Sequence, residues 1–273
     1  MNYVETNDDV RLRIKDWGHG RAVVMMHGWP LSSDTFDELG MAIANAGMRA
    51  ISYDRRGFGR SQQPWDGYDY DTLADDLADV IDQTDAKDVT LIGFSMGGGE
   101  VARYLSRQGD ANIRQAVLIA SIVPFMLKTP DNPKGTEQSV FDGMAKLLEA
   151  DRAGMWPDFF KVFYGVGKTA NPVSQGVIDW SCTLSMQASL PATLGCAKAF
   201  SSTDFRGDLE AFTVPTLIIH GTGDQTVPID ASARAAAAGI PGSKLIEYDG
   251  APHGLLASHK TQLIADVLSF LAS

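Results

Sequence analysis

The chain has 273 residues, 44% of them hydrophobic and 21% charged, and its 23 Lys and Arg against 34 Asp and Glu leave a net charge of -11. A chain of this size hides roughly three quarters of its unfolded surface, which allows one large core, or a core with an insertion, and excludes disorder as the main state. The acidic surface attracts neither nucleic acid nor anionic membrane.

The opening MNYVETNDD is acidic and has no apolar stretch, so it does not read as a signal peptide, and no apolar run approaches a membrane span. A cytoplasmic protein is expected. VRLRIKDW (10–17) alternates as a half-solvated strand, and AVVMMH (22–27) is continuously apolar, as a central strand is, ending at Gly28-Trp29-Pro30. Helical spacing of Phe36, Leu39, Ile43 and Ala46 over 34–47 leads to the strand RAISYD (49–54), closed by RRGFG. Between Asp69 and Asp88 stand eight aspartates, but Leu73, Leu77, Val80 and Ile81 share a face, which predicts an amphipathic helix with a solvated acidic side. VTLIGF (89–94), a helix over 97–108 and AVLIAS (116–121) form a further strand–helix–strand unit. Crossovers of this length require a mostly parallel sheet covered by helices on both faces.

The rhythm then breaks. From Pro124 to about Phe205 no strong strand occurs, and helical stripes are punctuated by Pro130, Pro133, Pro157, Pro172 and Pro191. The division expected is an α/β core over 1–123 and 206–273 with a helical cap over 124–205. Alternation resumes with VPTLIIHG (214–221), an Ala-rich helix over 230–238, KLIEYD (244–249) and a closing helix over 256–271.

In sheets of this kind the chemistry lies just past the strand ends. After VTLIGF the chain reads Gly93-Phe94-Ser95-Met96-Gly97. A Gly-x-Ser-x-Gly match alone is weak, since roughly 0.2 arise by chance in such a chain. Between a strand and a helix it gains force: the serine takes a strained turn, its hydroxyl leaves the sheet, and helix N-terminal amides lie beside it. Ser95 is therefore the candidate nucleophile. It needs a base, and the base an orienting carboxylate. Asp224 follows one late strand and His253 the next, which makes them the candidate acid and general base. His220 and Asp249 are the rivals, whereas His19 and His259 read as structural or solvated, His259 inside the closing helix. An oxyanion needs two donors, and the backbone N–H groups of Met96 and Trp29 are suitably placed, with both side chains flanking an acyl pocket. Asp54-Arg55-Arg56-Gly57 also ends a strand and reads as structural, since a buried Asp–Arg pair holds loops in place. Phe125, Phe141, Phe159 and Trp180 are taken as cap residues lining an apolar entrance suited to uncharged acyl or aryl groups. Cys182 and Cys196 read as reduced thiols, and no metal-ligand spacing, complete GxGxxG or P-loop is present, so no cofactor or metal is expected.

HGWPLSSDTF, SYDRRGFGRSQQPWDGYDYDTLADDL, GFSMGGGEVARYL, AFSSTDFRGDL, GDQTVPID and GAPHG together resemble the cofactor-free haloperoxidase and aryl esterase branch of the α/β-hydrolases over essentially the whole chain. The resemblance implies an eight-stranded, mostly parallel sheet with a helical cap. It also implies cleavage of small, often aromatic, esters without metal or haem, and perhydrolysis, in which hydrogen peroxide and a short carboxylic acid or ester give a peracid that oxidises halide. By position it assigns the triad to Ser95, Asp224 and His253 and the oxyanion donors to Trp29 and Met96. Self-association as trimers or larger is a further implication. Met96 stands where some relatives carry Thr, and Thr222 where many carry an acid. A lactonase or γ-lactamase would share these catalytic residues, and a non-catalytic relative would tolerate their loss. A haloalkane dehalogenase needs a carboxylate where Ser95 stands. Hydrolysis is expected to fall below about pH 6.5, because the base must be neutral.

Overall fold

Continuously apolar runs become the middle of the sheet. The computed structural model describes residues 2–170 and 172–273. Its strands are β1 (Tyr3–Glu5), β2 (Arg11–Gly18), β3 (Ala22–Met26), β4 (Arg49–Tyr53), β5 (Val89–Phe94), β6 (Ile113–Ile119), β7 (Thr216–Gly221) and β8 (Lys244–Tyr248), in the spatial order β1-β2-β4-β3-β5-β6-β7-β8. Only the β1–β2 and β2–β4 pairings are antiparallel. Every residue of β3, β5 and β7 is buried, whereas β2 alternates. Seven strands follow from the sequence pattern; β1 is too short to carry a period and is anchored by one buried residue, Val4.

The helices are α1 (Asp37–Asn45), α2 (Tyr70–Gln83), α3 (Met96–Gln108), α4 (Gln138–Phe163), α5 (Gln175–Gln187), α6 (Leu190–Ser202), α7 (Ala233–Gly239), α8 (Leu255–Ser258) and α9 (Lys260–Leu271). Two expected helices are corrected. The Ala-rich helix starts at Ala233, because a turn in which the Ser232 hydroxyl donates to Pro228 O occupies its first residues. The closing helix is two, α8 and α9, with His259 at non-helical φ/ψ between them rather than inside. α4 is also bent: Asp151 has φ -160 and ψ 81, and its carboxylate accepts the Gly154 N–H at 2.9 Å, starting the second half as a capped helix.

The acidic side of α2 is not merely solvated. Its apolar stripe is buried as expected and Asp69 caps it, accepting the Thr72 N–H at 3.0 Å. Asp76, however, is buried against Arg56, which also binds Asp8, and Asp75 takes Arg107 of α3 at 2.9 Å. The Asp54-Arg55-Arg56 run forms internal ion pairs. Asp54 takes Ser33 and Arg60, while the Arg55 guanidinium donates to the fully buried Glu100. A buried pair is costly to break because the remaining charge has no water.

His27, past the end of β3, is tied into this cluster. Its Nε2 accepts the Arg55 backbone N–H at 3.0 Å, and its Nδ1 lies 3.0 Å from Gly28 O, so the ring is neutral with the proton on Nδ1. Burial and the Arg55 charge hold its pKa down at about 3, against an ordinary 6.5. Between those values the unfolded chain binds more protons than the folded one, so this histidine lowers stability as pH falls through that window. We expect the urea midpoint to drop between pH 6.5 and 4, and His27→Gln, whose amide oxygen can still accept the Arg55 N–H, to flatten the drop. Equal slopes in both proteins would exclude His27 as the source.

Candidate active site

The turn from β5 into α3 imposes the site's first feature. Ser95 has φ 53 and ψ -116, a left-handed conformation that a residue with a Cβ adopts only under constraint. The constraint is visible: the Ser95 N–H donates to Ile119 O of β6 at 2.8 Å, and Ser95 O accepts the Gly98 N–H at 3.0 Å. The flanking residues have to be small. A Cβ at Gly93 would sit 2.5 Å from Gly97 O, and one at Gly97 would sit 2.2 Å from Met26 O. A strand and a helix can therefore meet at this angle only through glycines, and the serine hydroxyl is left projecting from the corner.

Two other strand ends converge on it. His253 follows β8 and Asp224 follows β7. Ser95 Oγ is 2.9 Å from His253 Nε2, and His253 Nδ1 is 2.6 Å from Asp224 Oδ2. All three residues are buried, and the His253 ring packs against Phe94 and Phe163, with centroids 5.4 and 4.7 Å away. Asp224 is fully supplied with donors. Oδ1 accepts the Thr226 and Val227 N–H groups, both at 2.8 Å, and Oδ2 takes His253 together with His220, whose Nε2 is 3.1 Å away. Burial pushes this carboxyl up, but its interaction with His253 and the hydrogen bonds from His253 and His220 more than offset it and leave Asp224 well below the usual carboxylate range.

The sequence rivals separate cleanly. Asp249 is exposed and accepts the Thr222 hydroxyl at 3.3 Å rather than meeting a histidine. His220 is buried on the far side of Asp224. Its Nε2 faces two acceptors, Asp224 Oδ2 and Val227 O at 3.0 Å, so it carries the proton, and the bare Nδ1 is buried without a partner among the described residues. Sequence reasoning treated His220 only as a rival base; its position on the strand that delivers Asp224 was the available signal for its supporting contact.

The loop after β3 lies against Ser95, since a Cβ on Gly28 would come 3.1 Å from Ser95 Cβ. Among the described residues neither the Trp29 nor the Met96 backbone N–H donates within the chain, so both amides are free for an anionic oxygen. The Trp29 indole is pinned, donating to Thr193 O at 3.0 Å and meeting Trp156, Phe159 and Phe200 edge to face.

Ser95 opens into a cavity of about 790 Å³ walled by Trp29, Ile122, Phe141, Phe159, Phe200 and Val227, with methionines along α4. Of the expected pocket residues, Trp29, Phe141 and Phe159 belong to this wall, and three do not. Met96 is fully buried in the core and does not line the cavity. The Phe125 ring lies under the Arg206 guanidinium, 5.1 Å from the centroid, outside the cavity. Trp180 lines a separate cavity of about 450 Å³ behind Phe94 and Phe163. Phe200 of α6 and the Gln225–Val227 stretch after Asp224 were missed as wall residues. No Lys or Arg lines the larger cavity among the described residues, and among them no three or more His, Cys, Asp or Glu side chains cluster as metal ligands would. Cys182 and Cys196 are free thiols, and among the described residues no helix is long and apolar enough to cross a membrane.

Residues 21–260 match the family described as alpha/beta hydrolase fold. A non-heme chloroperoxidase of Kitasatospora aureofaciens is 43% identical over 273 residues, covering 99% of both chains. The chain belongs to the α/β-hydrolase family, in its non-heme haloperoxidase branch. A bifunctional esterase/perhydrolase of Acinetobacter calcoaceticus is 39% identical over the full length of both chains. Among solved structures, the bromoperoxidase of Bacillus anthracis superposes with a TM-score of 0.96 at 40% identity, covering 99% of each chain. This α/β-hydrolase thus shares its whole length with relatives named for two activities, ester hydrolysis and peroxide-driven halogenation.

Proposed function

We propose that the protein is a serine hydrolase of small, uncharged aryl or short-acyl carboxylic esters that also perhydrolyses its acyl group. The observation that carries this reading is the Asp224–His253–Ser95 relay, at 2.6 and 2.9 Å, at the base of an apolar cavity. Ser95 Oγ attacks the ester carbonyl while His253 Nε2 takes its proton. Trp29 and Met96 amides hold the oxyanion, and Asp224 fixes the His253 tautomer and stabilises the imidazolium. Collapse expels the alcohol, which receives the proton from His253 and leaves an acyl group on Ser95. Water then gives the carboxylic acid. Hydrogen peroxide in its place gives the peracid, returns the proton to Ser95, and the peracid oxidises halide away from the site.

The reading treats 124–205 as a cap set on a core formed by 1–123 and 206–273, with α4, joined by Phe200 of α6, supplying most of the cavity wall. It takes the enzyme to be cytoplasmic and to self-associate as a trimer or larger.

The test is turnover of p-nitrophenyl acetate with and without hydrogen peroxide, with a peracid-sensitive bromide assay alongside. We expect nitrophenol release in both and bromination only with peroxide. Ester cleavage without peracid would reduce the reading to an esterase. Silence on esters with turnover of a lactone or lactam would reassign the substrate while keeping the relay.

A further inference from the structure

Three thioethers stand in the path of the product. Met126, Met144 and Met155 line the same cavity as Ser95, out of ten methionines in the chain. They come from separate places: Met126 from the loop after β6, and Met144 and Met155 from the two halves of α4 on either side of Asp151. Met126 is only 2% exposed, so an oxidant reaches it by way of the cavity. Met41 and Met186, by contrast, are 57% and 41% exposed and do not line the cavity.

Resting on the perhydrolase reading above, we propose that Met126, Met144 and Met155 are modification sites, converted to sulfoxides by the peracid formed on Ser95 while it is still inside the cavity. The step balances. A sulfur lone pair attacks the terminal peroxy oxygen, the O–O bond breaks, and the proton passes to the departing carboxylate. A thioether and a peracid thus become a sulfoxide and a carboxylic acid, sulfur losing two electrons and the peroxy group gaining them. Proximity favours these three over the surface methionines. One molecule confined to about 790 Å³ is at about 2 M, far above any bulk peracid concentration in an assay. Each sulfoxide sets a polar oxygen in an apolar wall, so the modification raises KM for apolar esters as turnover accumulates.

The experiment runs the wild-type protein on p-nitrophenyl acetate and hydrogen peroxide with a large excess of N-acetylmethionine. This scavenger intercepts peracid that has left the protein, and its sulfoxide counts what was made. Peptide mass mapping then follows one added oxygen at each methionine, with peroxide alone as the blank. A parallel sample of Ser95→Ala receives ready-made peracetic acid. We expect Met126, Met144 and Met155 to gain oxygen at least about tenfold faster than Met41 and Met186 during turnover, with the order reversed when peracid comes from solution. Scavenger sulfoxide with the lining methionines intact, or lagging the surface ones, overturns the inference while leaving the perhydrolase reading standing. No scavenger sulfoxide above the blank overturns that reading and the inference with it.

Discussion

Ser95→Ala is expected to lose ester hydrolysis and peracid formation together, each by about 10⁴-fold or more, while its urea midpoint stays near that of the wild type. The two losses are tied because both products leave from one acyl-enzyme. Folding should be spared because alanine keeps the Cβ and meets the same left-handed backbone, held by the same bonds to Ile119 O and from Gly98 N. Only the hydroxyl and its 2.9 Å contact with His253 disappear. The measurement is kcat for p-nitrophenyl acetate beside the peroxide-dependent bromination rate. Hydrolysis lost with bromination retained would separate the two reactions and remove Ser95 from the peroxide chemistry.

Asp224→Asn should cost about 10⁴-fold in kcat, or about 5.5 kcal/mol of barrier, and the reason lies in its four donors. Thr226 and Val227 present two backbone N–H groups to Oδ1 and cannot turn away, so the new amide must offer them its oxygen. Its NH₂ then faces His253 and His220. A donor opposite His253 Nδ1 drives the proton to Nε2, the atom that must be bare to accept from Ser95. The side chain keeps its shape while the base is held in the wrong tautomer. Asp249→Asn is the matched control, since that carboxylate is exposed and bonded to Thr222. A tenfold loss or less in Asp224→Asn, or equal losses in both variants, would show that Asp224 does not orient the base.

The sheet was readable because burial on both faces leaves an unbroken apolar run, as in β3, β5 and β7, and short loops after such runs mark where side chains converge. Ser95, Asp224 and His253 could be found together for that reason. Their convergence is set by strand order and by glycines that allow β5 and α3 to meet, not by spacing along the chain. The pocket was less legible. Phe125, Phe141, Trp180 and Phe200 are all aromatic residues between β6 and β7, and hydrophobicity cannot say which way each faces; Phe125 turned to Arg206 and Trp180 to the second cavity. The acidic helix misled for a related reason. Its aspartates look solvated in one dimension, but Arg56 and the arginines of α3 approach from distant parts of the chain. His259 was misplaced because a one-residue break in a helix leaves the apolar period almost undisturbed.

The bend at Asp151 divides the outer wall between two rigid rods. Phe141, Met144 and Leu147 ride on the first, and Met155, Phe159 and Val162 on the second, whose Phe163 also abuts the His253 ring. Size changes on the first rod therefore reshape the cavity without passing through a residue that touches His253, whereas changes on the second are transmitted to it. A lineage or a designer seeking new esters thus has one stretch, 138–150, in which specificity can drift cheaply, and an adjoining stretch, 152–163, in which the same drift is paid for in rate.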